Sequence, residues 1–153
     1  MSAADVDAWL ATTLADPVVE TLVAQPALVR SPTVFVDATG RAFGFEGGLG
    51  ASTGNWNGDI GGSCPLNCTH VWNYAQAIPN LFPSLERTLR ETEFLVSQNA
   101  EGHQTFRSSL PVREPNHDWF AAADGQLGGI MKVYREWRIS GDKEWLQKLW
   151  PQV

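Results

Sequence analysis

The sequence predicts a mainly α-helical fold with one β-hairpin near its start. Apolar residues recur at three- and four-residue steps in the segments 5–25, 84–97 and 127–137, which is the period of an amphipathic helix. Between the first two segments, residues 34–45 alternate around a turn in the manner of paired strands. We therefore expect helices to dominate, with strands confined to the early part of the chain.

The first helical segment is interrupted by Pro17, which lacks a backbone donor and predicts two short helices or one broken helix. The hairpin that follows is marked on its strands by Val34, Val36, Phe43 and Phe45, and at its turn by Asp37, Thr39 and Gly40. The second strand runs into Glu46, after which residues 47–62 read GGLGASTGNWNGDIGG. This glycine-rich stretch has no periodicity and is predicted to be a loop.

Two further helices are predicted around a pair of prolines. Thr69 is the candidate N-cap of a helix over 69–77, and a second helix covers 84–97. The apolar period of the second helix assigns its two faces. Leu85, Leu89 and Val96 are expected inward, whereas Glu86, Arg87, Arg90 and Glu91 are expected outward.

The clearest helix lies near the end of the chain. Its expected inward stripe comprises Leu127, Ile130, Met131, Tyr134 and Trp137. Gly141 is predicted to end this helix, and Asp142 to cap the next one, KEWLQKLW. Asp124 precedes the apolar stripe, where it acts either as a cap or as a pocket residue.

Composition excludes some classes of function. The chain has 153 residues and a net charge of −6, without the basic cluster that nucleic acid binding requires. No apolar run is long enough for a membrane span, and the acidic start MSAADVDAWLATTLADP does not resemble a secretory leader. We therefore expect no nucleic acid partner and no transmembrane segment. The sequence does not reveal the compartment, and of the possible locations we favour the cytoplasm. Seven tryptophans suit either core packing or stacking on sugars.

Cys64, Cys68 and His70 form a C-x3-C-x-H string with three possible interpretations. Zinc prefers four ligands from paired motifs, and neither His103 nor His117 supplies a matching partner. A disulfide across the short loop is sterically possible, although nothing indicates an oxidising compartment. We favour two reduced cysteines that pack beneath a loop, and we expect neither a metal nor a cofactor.

Two groups of residues are candidates for a site. Glu46 leaves a predicted strand beside two glycines, so its carboxylate either serves as nucleophile or base or is simply solvated. His70, Trp72 and Asn73 lie at a predicted helix start, where they either bind sugar hydroxyls and stack on a ring or belong to the core.

Three long strings of the sequence are distinctive both in content and in order. They are RAFGFEGG (41–48), GSCPLNCTHVWNYAQAIPNLFPSLERTLRETEF (62–94) and AADGQLGGIMKVYREWRISGDKEWLQKLWP (122–151). Together they resemble glycoside hydrolase family 116, which includes the non-lysosomal, bile-acid β-glucosidases and glucosylceramidases, in a bacterial form. The best-known members carry an aspartate in a TYDVH-like string, at the place where this chain has His70 in CTHVWNY.

The resemblance implies a fold and a mechanism. Residues 1–153 would be one partial catalytic domain, an (α/α)6 toroid truncated at its C-terminal side. Family members cleave β-glycosidic bonds with retention of configuration, and the apolar–Glu–Gly string that holds their nucleophile corresponds to Glu46 here. The family's acid/base aspartate lies beyond Val153, so Asp118 and Asp124 come too early for that role. We expect this chain alone to be almost inactive.

The substrate implied is a carbohydrate or glycolipid, most simply a β-glucoside. By their places in the matched strings, His70, Trp72, Asn73 and Asp124 would line the pocket, and Arg107 in QTFRSSLP would bind a hydroxyl or pair with a carboxylate. Two alternatives remain open at this point. The chain is otherwise a non-catalytic or degenerate carbohydrate-binding protein, or a small metal-binding domain built on Cys64 and its neighbours.

Overall fold

The computed structural model describes residues 7–8, 11–24, 34–44, 53–54, 60–61, 67–72, 76–109, 111–118 and 120–153. In chain order, their principal elements are α1 (Asp16–Ala24), β1 (Val34–Val36), β2 (Ala42–Gly44), β3 (Thr53–Gly54), β4 (Ile60–Gly61), α2 (Thr69–Trp72), α3 (Ala77–Leu81), α4 (Pro83–Thr92), a π-helical turn (Glu93–Ser97), α5 (Ala123–Ser140), α6 (Lys143–Leu149) and a 3-10 turn (Trp150–Gln152). Helices dominate this part of the chain, so the mainly α class is confirmed.

The predicted hairpin is confirmed as the antiparallel pair β1–β2, in which Phe35 lies opposite Phe43. Their rings stack with centroids 5.2 Å apart, and Phe43 is completely buried. At the turn, the Asp37 carboxylate accepts hydrogen bonds from the backbone amides of Thr39 and Arg41. The inner face of β1 is therefore formed by Phe35, while Val36 remains exposed.

The hairpin is attached to α4 through hydroxyl groups. Thr88 Oγ1 accepts a hydrogen bond of 2.9 Å from the Ala42 amide, and Thr92 Oγ1 accepts one of 3.0 Å from Arg41 Nη1. Ala42 is buried in a cluster with Ile78 and Leu89. These contacts fix β2 relative to the helical layer.

The glycine-rich stretch predicted to be a loop contains a second short antiparallel pair, β3–β4, in which Thr53 lies opposite Gly61. Each strand is only two residues long. A pairing of this length leaves no alternation in the sequence, which explains why the pattern did not predict it.

The predicted faces of α4 are partly wrong. Leu89 is buried as expected, but Glu86 and Arg90 are also buried, each with only 3 % of its surface exposed. The cause lies on α5, which presents Lys132 and Glu136 toward this region instead of apolar side chains. The charged face of α4 therefore lies in an ionic interface between the two helices.

The predicted stripe of α5 is also partly wrong. Leu127, Met131 and Tyr134 are exposed by 65 %, 72 % and 54 %, whereas the buried face consists of Gly125, Gly129, Lys132, Val133 and Glu136. Small residues allow close helix contact, and Gly129 lies directly against Glu93 and Phe94. The rotation of α5 thus follows its glycines and not its largest apolar residues.

The junction of α5 and α6 follows the prediction. Gly141 ends α5 in the left-handed region with φ 68°, and the Asp142 carboxylate accepts a hydrogen bond of 2.9 Å from the Trp145 amide. Among the described residues, the largest buried apolar cluster lies at this junction and comprises Phe94, Val133, Trp145 and Leu149. Ile130 and Trp137 pack against it. None of the helices described has the length and apolarity needed to cross a bilayer.

Candidate functional site

Two of the predicted site residues are in contact. His70, the second residue of α2, and Asp124, the second residue of α5, are joined through His70 Nδ1 and Asp124 Oδ2. Their side chains are 52 % and 56 % exposed. The hydrogen bond from His70 is the main reason that the pKa of the Asp124 carboxyl lies below its ordinary value. The pair is therefore a solvent-facing carboxylate–imidazole site between two helix starts.

The two helix starts are packed very closely. A Cβ atom added to Gly125 would lie 2.2 Å from Thr69 Oγ1 and 2.6 Å from Thr69 Cβ. No side chain other than hydrogen fits at this point, so the glycine brings Asp124 within reach of His70. In the sequence, the glycine after Asp124 in ADGQLGG is the signal of this close approach, but it does not identify Thr69 as the residue that is approached.

Thr69 does not act as the predicted N-cap. It is the first residue of α2, and both its amide and its hydroxyl donate to the Phe106 carbonyl, at 2.9 and 3.4 Å. Asp124 is likewise not a cap, because it lies inside α5, whose N-cap is Ala122 without a side-chain bond. Both residues instead connect separate parts of the chain.

Asn67 joins the end of β2 to the start of α2. Its Oδ1 accepts a hydrogen bond of 2.8 Å from the Gly44 amide, and its own amide donates to the Gly44 carbonyl at 2.8 Å. Asn67 is buried and adopts φ 53°, the left-handed region that asparagine tolerates better than most residues. Sequence reasoning missed this residue because its partner lies 23 positions earlier.

Arg107 follows Phe106, the residue whose carbonyl holds Thr69. The Arg107 carbonyl accepts a hydrogen bond of 2.9 Å from Thr105 Oγ1, and the arginine side chain is half-buried. The backbone of Arg107 is thus part of the segment that supports α2.

The remaining predicted site residues fall largely outside the part of the chain that the structure describes. Glu46 and Asn73 lie outside the described residues, as does the side chain of Trp72, although its backbone ends α2. Cys64 also lies outside them, and Cys68 is buried as a free thiol. Within the described ranges, no group of three or more His, Cys, Asp or Glu side chains has the geometry of a metal site.

The chemistry of the His70–Asp124 pair follows from the ring nitrogen that it uses. A carboxylate at Nδ1 favours the proton on that nitrogen, which leaves Nε2 as an acceptor in the neutral ring and as a donor in the protonated ring. A single imidazole held in this way can accept from or donate to a hydroxyl group.

Sequence reasoning also missed a buried ionic cluster between α4 and α5. Arg135 Nη2 lies 2.9 Å from Glu86 Oε1, and Arg135 Nε lies 2.9 Å from Glu136 Oε1. Arg90 Nη1 approaches Glu86 Oε1 at 3.3 Å, and Arg90 Nε approaches Glu93 Oε2 at 3.0 Å. The acidic and basic groups were visible in the sequence, but their four-residue spacing is equally typical of an exposed helix face.

Lys132 lies in the same cluster. Burial lowers its pKa to about 8, and the neighbouring Arg90 acts in the same direction. Burial also raises the pKa of the Glu136 carboxyl. The cluster is enclosed in the helical interface, so we assign it to the architecture that supports the site and not to the site itself.

Comparisons with known proteins add no relative. A scan against protein-family models, a search of curated proteins and a search of solved structures each found no match to this chain.

Proposed function

We propose that this chain is part of the catalytic (α/α)6 domain of a retaining β-glycosidase that acts on β-glucosides, including glycolipids of the glucosylceramide type. Glu46 is the nucleophile of this proposal. The three long strings that resemble glycoside hydrolase family 116 motivate it. The observation that carries it furthest is the hydrogen-bonded junction of Gly44 and Asn67 beside the His70–Asp124 pair.

The junction relates the predicted nucleophile to the predicted pocket residues. Glu46 follows Gly44 by two positions, and two residues span at most about 7 Å of chain. On the other side of the junction, Asn67 precedes His70 by three positions. The end of β2 and the start of α2 are held together, so the strand that leads to Glu46 ends near the element that carries His70.

The chemistry requires two carboxyl groups. The Glu46 carboxylate attacks the anomeric carbon and forms a glycosyl ester, while the bond to the leaving oxygen breaks and a second carboxyl protonates that oxygen. Water, deprotonated by the second group, then releases the sugar and frees Glu46. The second group lies about 5–5.5 Å from the first in retaining enzymes, and the family resemblance places it beyond Val153. His70 and Asp124 would bind hydroxyls of the sugar.

A substrate that needs no acid catalyst tests the nucleophile in this chain. The probe is 2,4-dinitrophenyl 2-deoxy-2-fluoro-β-glucoside, whose leaving group departs without protonation and whose fluorine slows the release of the sugar. We expect peptide mass mapping to show fluoroglucosyl modification at Glu46. Glu46→Gln should remove the modification, and the exposed Glu101→Gln should retain it as a matched control.

The outcomes separate the alternatives. Labelling at Glu46 supports the glycosidase. Glucose binding without labelling, in a chain that is folded by circular dichroism, would favour a non-catalytic carbohydrate-binding protein. Labelling at another carboxylate would reject Glu46 as the nucleophile.

A further inference from the structure

The helix α5 exposes a narrow face that is apolar in its middle and charged at its ends. Leu127, Met131 and Tyr134 are all more than half exposed. Asp124 precedes them by three residues, and Arg138 follows them by four. Residues spaced alternately by three and four positions lie on one side of a helix, so these five side chains form one stripe, which we call the α5 stripe.

The exposure of the α5 stripe is fixed by the opposite side of the helix. Gly125 and Gly129 are packed against Thr69 and Phe94, and Lys132 is buried toward α4. Turning α5 to cover its apolar side chains would break these contacts. A contiguous apolar face that is held in solvent is typical of a surface that binds a partner.

The charges of the α5 stripe are arranged symmetrically. Met131 is its midpoint, with Asp124 seven residues before it and Arg138 seven residues after it. Seven residues correspond to about 10.5 Å along a helix axis. A second α5 stripe laid antiparallel across the first at Met131 therefore places each aspartate beside an arginine of the other copy.

Arg138 is already directed along this face. Its Nη1 donates a hydrogen bond of 2.9 Å to Tyr134 Oη, and its guanidinium carbon lies 5.8 Å from the centre of the Tyr134 ring. The cation therefore lies over the apolar part of the stripe and not away from it. An arginine held in this way loses less conformational freedom when it meets a carboxylate.

We propose that the α5 stripe is a self-association surface, on which two copies of this chain pair antiparallel about a two-fold axis near Met131. A two-fold interface uses the same patch on both copies, and the α5 stripe is self-complementary in charge, because Asp124 and Arg138 are equally far from Met131. A parallel pairing would instead place like charges together at each end, which is unfavourable.

The association also bears on the candidate site. Asp124 contacts His70 through Oδ2, so the partner's Arg138 would lie next to the carboxylate–imidazole pair. The partner copy would thus contribute a cation to the rim of the site. This inference does not rest on the glycosidase proposal, because association is measured without any sugar.

Sedimentation equilibrium of the chain between about 1 and 500 µM measures the association. A stripe with three large apolar side chains is smaller than a standard stable interface of about 800 Å² per partner, so we expect a reversible dimer with a micromolar dissociation constant. Met131→Glu should raise that constant at least about tenfold, because it brings two carboxylates to the axis. The replacement touches no core contact, since Met131 is exposed.

Charge exchange tests the antiparallel arrangement. Arg138→Asp should weaken the dimer about tenfold or more, because it places two carboxylates together at each end. The double variant Asp124→Arg with Arg138→Asp should restore association to within about threefold of the original. Arg113→Asp, a charge reversal at an exposed position outside α5, is the matched control and should leave association unchanged.

Each remaining outcome overturns the proposal. A chain that stays monomeric at 500 µM has no such interface. A dimer that survives both Met131→Glu and Arg138→Asp uses another surface. A folded double variant that fails to restore association rules out the antiparallel pairing of Asp124 with the partner's Arg138, and circular dichroism verifies the fold in every case.

Discussion

Gly125 on α5 packs directly against Thr69 on α2, so closely that an added Cβ atom would lie 2.2 Å from the threonine hydroxyl oxygen. Thr69 cannot withdraw easily, because its amide and hydroxyl are both bonded to the Phe106 carbonyl. This contact positions the two helix starts that carry His70 and Asp124. The close approach therefore determines the geometry of the candidate site.

Gly125→Ala should destabilise the protein in spite of the better helix propensity of alanine. Replacing glycine by alanine inside a helix stabilises the helix by up to about 1 kcal/mol. Overpacking against the Thr69 side chain, which is hydrogen-bonded to the Phe106 carbonyl, costs about 1–3 kcal/mol. Urea unfolding measures the difference. Gly129→Ala is the matched control, because its Cβ would meet the end of the Glu93 side chain and the edge of Phe94 at 3.0–3.1 Å. A smaller loss for Gly125→Ala than for Gly129→Ala would contradict this account.

Lys132 should limit stability at neutral pH. Its pKa is lowered to about 8 in the folded chain, so the folded state releases a proton that the unfolded state still binds up to about pH 10.4. Stability must then rise between about pH 8 and 10, and below pH 8 the full cost of burying the charge is present. A pKa lowered to about 8 corresponds to a cost on the order of 3 kcal/mol.

Lys132→Met tests this linkage, because methionine fills the same space without a charge. The variant should lack the part of the pH-dependent rise that belongs to Lys132. The free energy of unfolding is measured in urea at pH 7, 8, 9 and 10, and the difference between wild type and variant is compared across the series. Lys148→Met, whose side chain is 55 % exposed, should leave the difference flat. If the difference in the free energy of unfolding between wild type and Lys132→Met is also independent of pH, the pKa of the Lys132 amine is not lowered.

Local signals in the sequence predicted the elements, whereas the packing depended on distant partners. Asp37 and Gly40 predicted the hairpin turn, and Gly141 with Asp142 predicted the break between α5 and α6, because each acts on its immediate neighbours. The inward face of α5 was wrong, because it is set by Gly125 and Gly129 against elements far away in sequence. The hydrophobic period identifies the buried face of a helix on the assumption that apolar side chains are buried. In α5, the buried face instead carries part of the ionic cluster.

The candidate site shows the same division. His70 and Asp124 were each selected from the string around them, but the contact between them spans 54 positions and left no pattern in either string. Asn67 was not selected, since its importance comes from its bonds to Gly44 and its left-handed backbone. Long-range pairs of this kind become visible only when the two segments are placed together.

Asn67 should be replaceable by glycine at a lower cost than by alanine. Both changes remove the hydrogen bond to the Gly44 amide, a loss of about 0.5–1.5 kcal/mol. Alanine also has to adopt φ 53°, which costs a further 1–2 kcal/mol or so, whereas glycine adopts it readily. Urea unfolding of the two variants measures the gap. Equal stability of Asn67→Ala and Asn67→Gly would contradict the backbone argument.

The His70–Asp124 contact should be visible in the titration of the aspartate. The pKa of Asp124 lies below 3.8 in the folded chain, chiefly because His70 donates to its carboxylate. A depressed carboxyl pKa stabilises the folded state above the unfolded pKa, and this contribution is lost as the pH falls through the folded value. Since both side chains are more than half exposed, the contribution to the free energy of unfolding is below about 1 kcal/mol. The titration of Asp124 is therefore a sharper readout than stability.

Carboxyl ¹³C NMR between pH 2 and 7 measures the titration midpoint of Asp124. His70→Ala should move this midpoint up toward 3.8. His117→Ala is the control and should leave it in place, because His117 contacts His103 and Glu114 instead. An Asp124 midpoint that does not respond to His70→Ala would mean that the two groups do not interact in solution, and the carboxylate–imidazole site would then have to be abandoned.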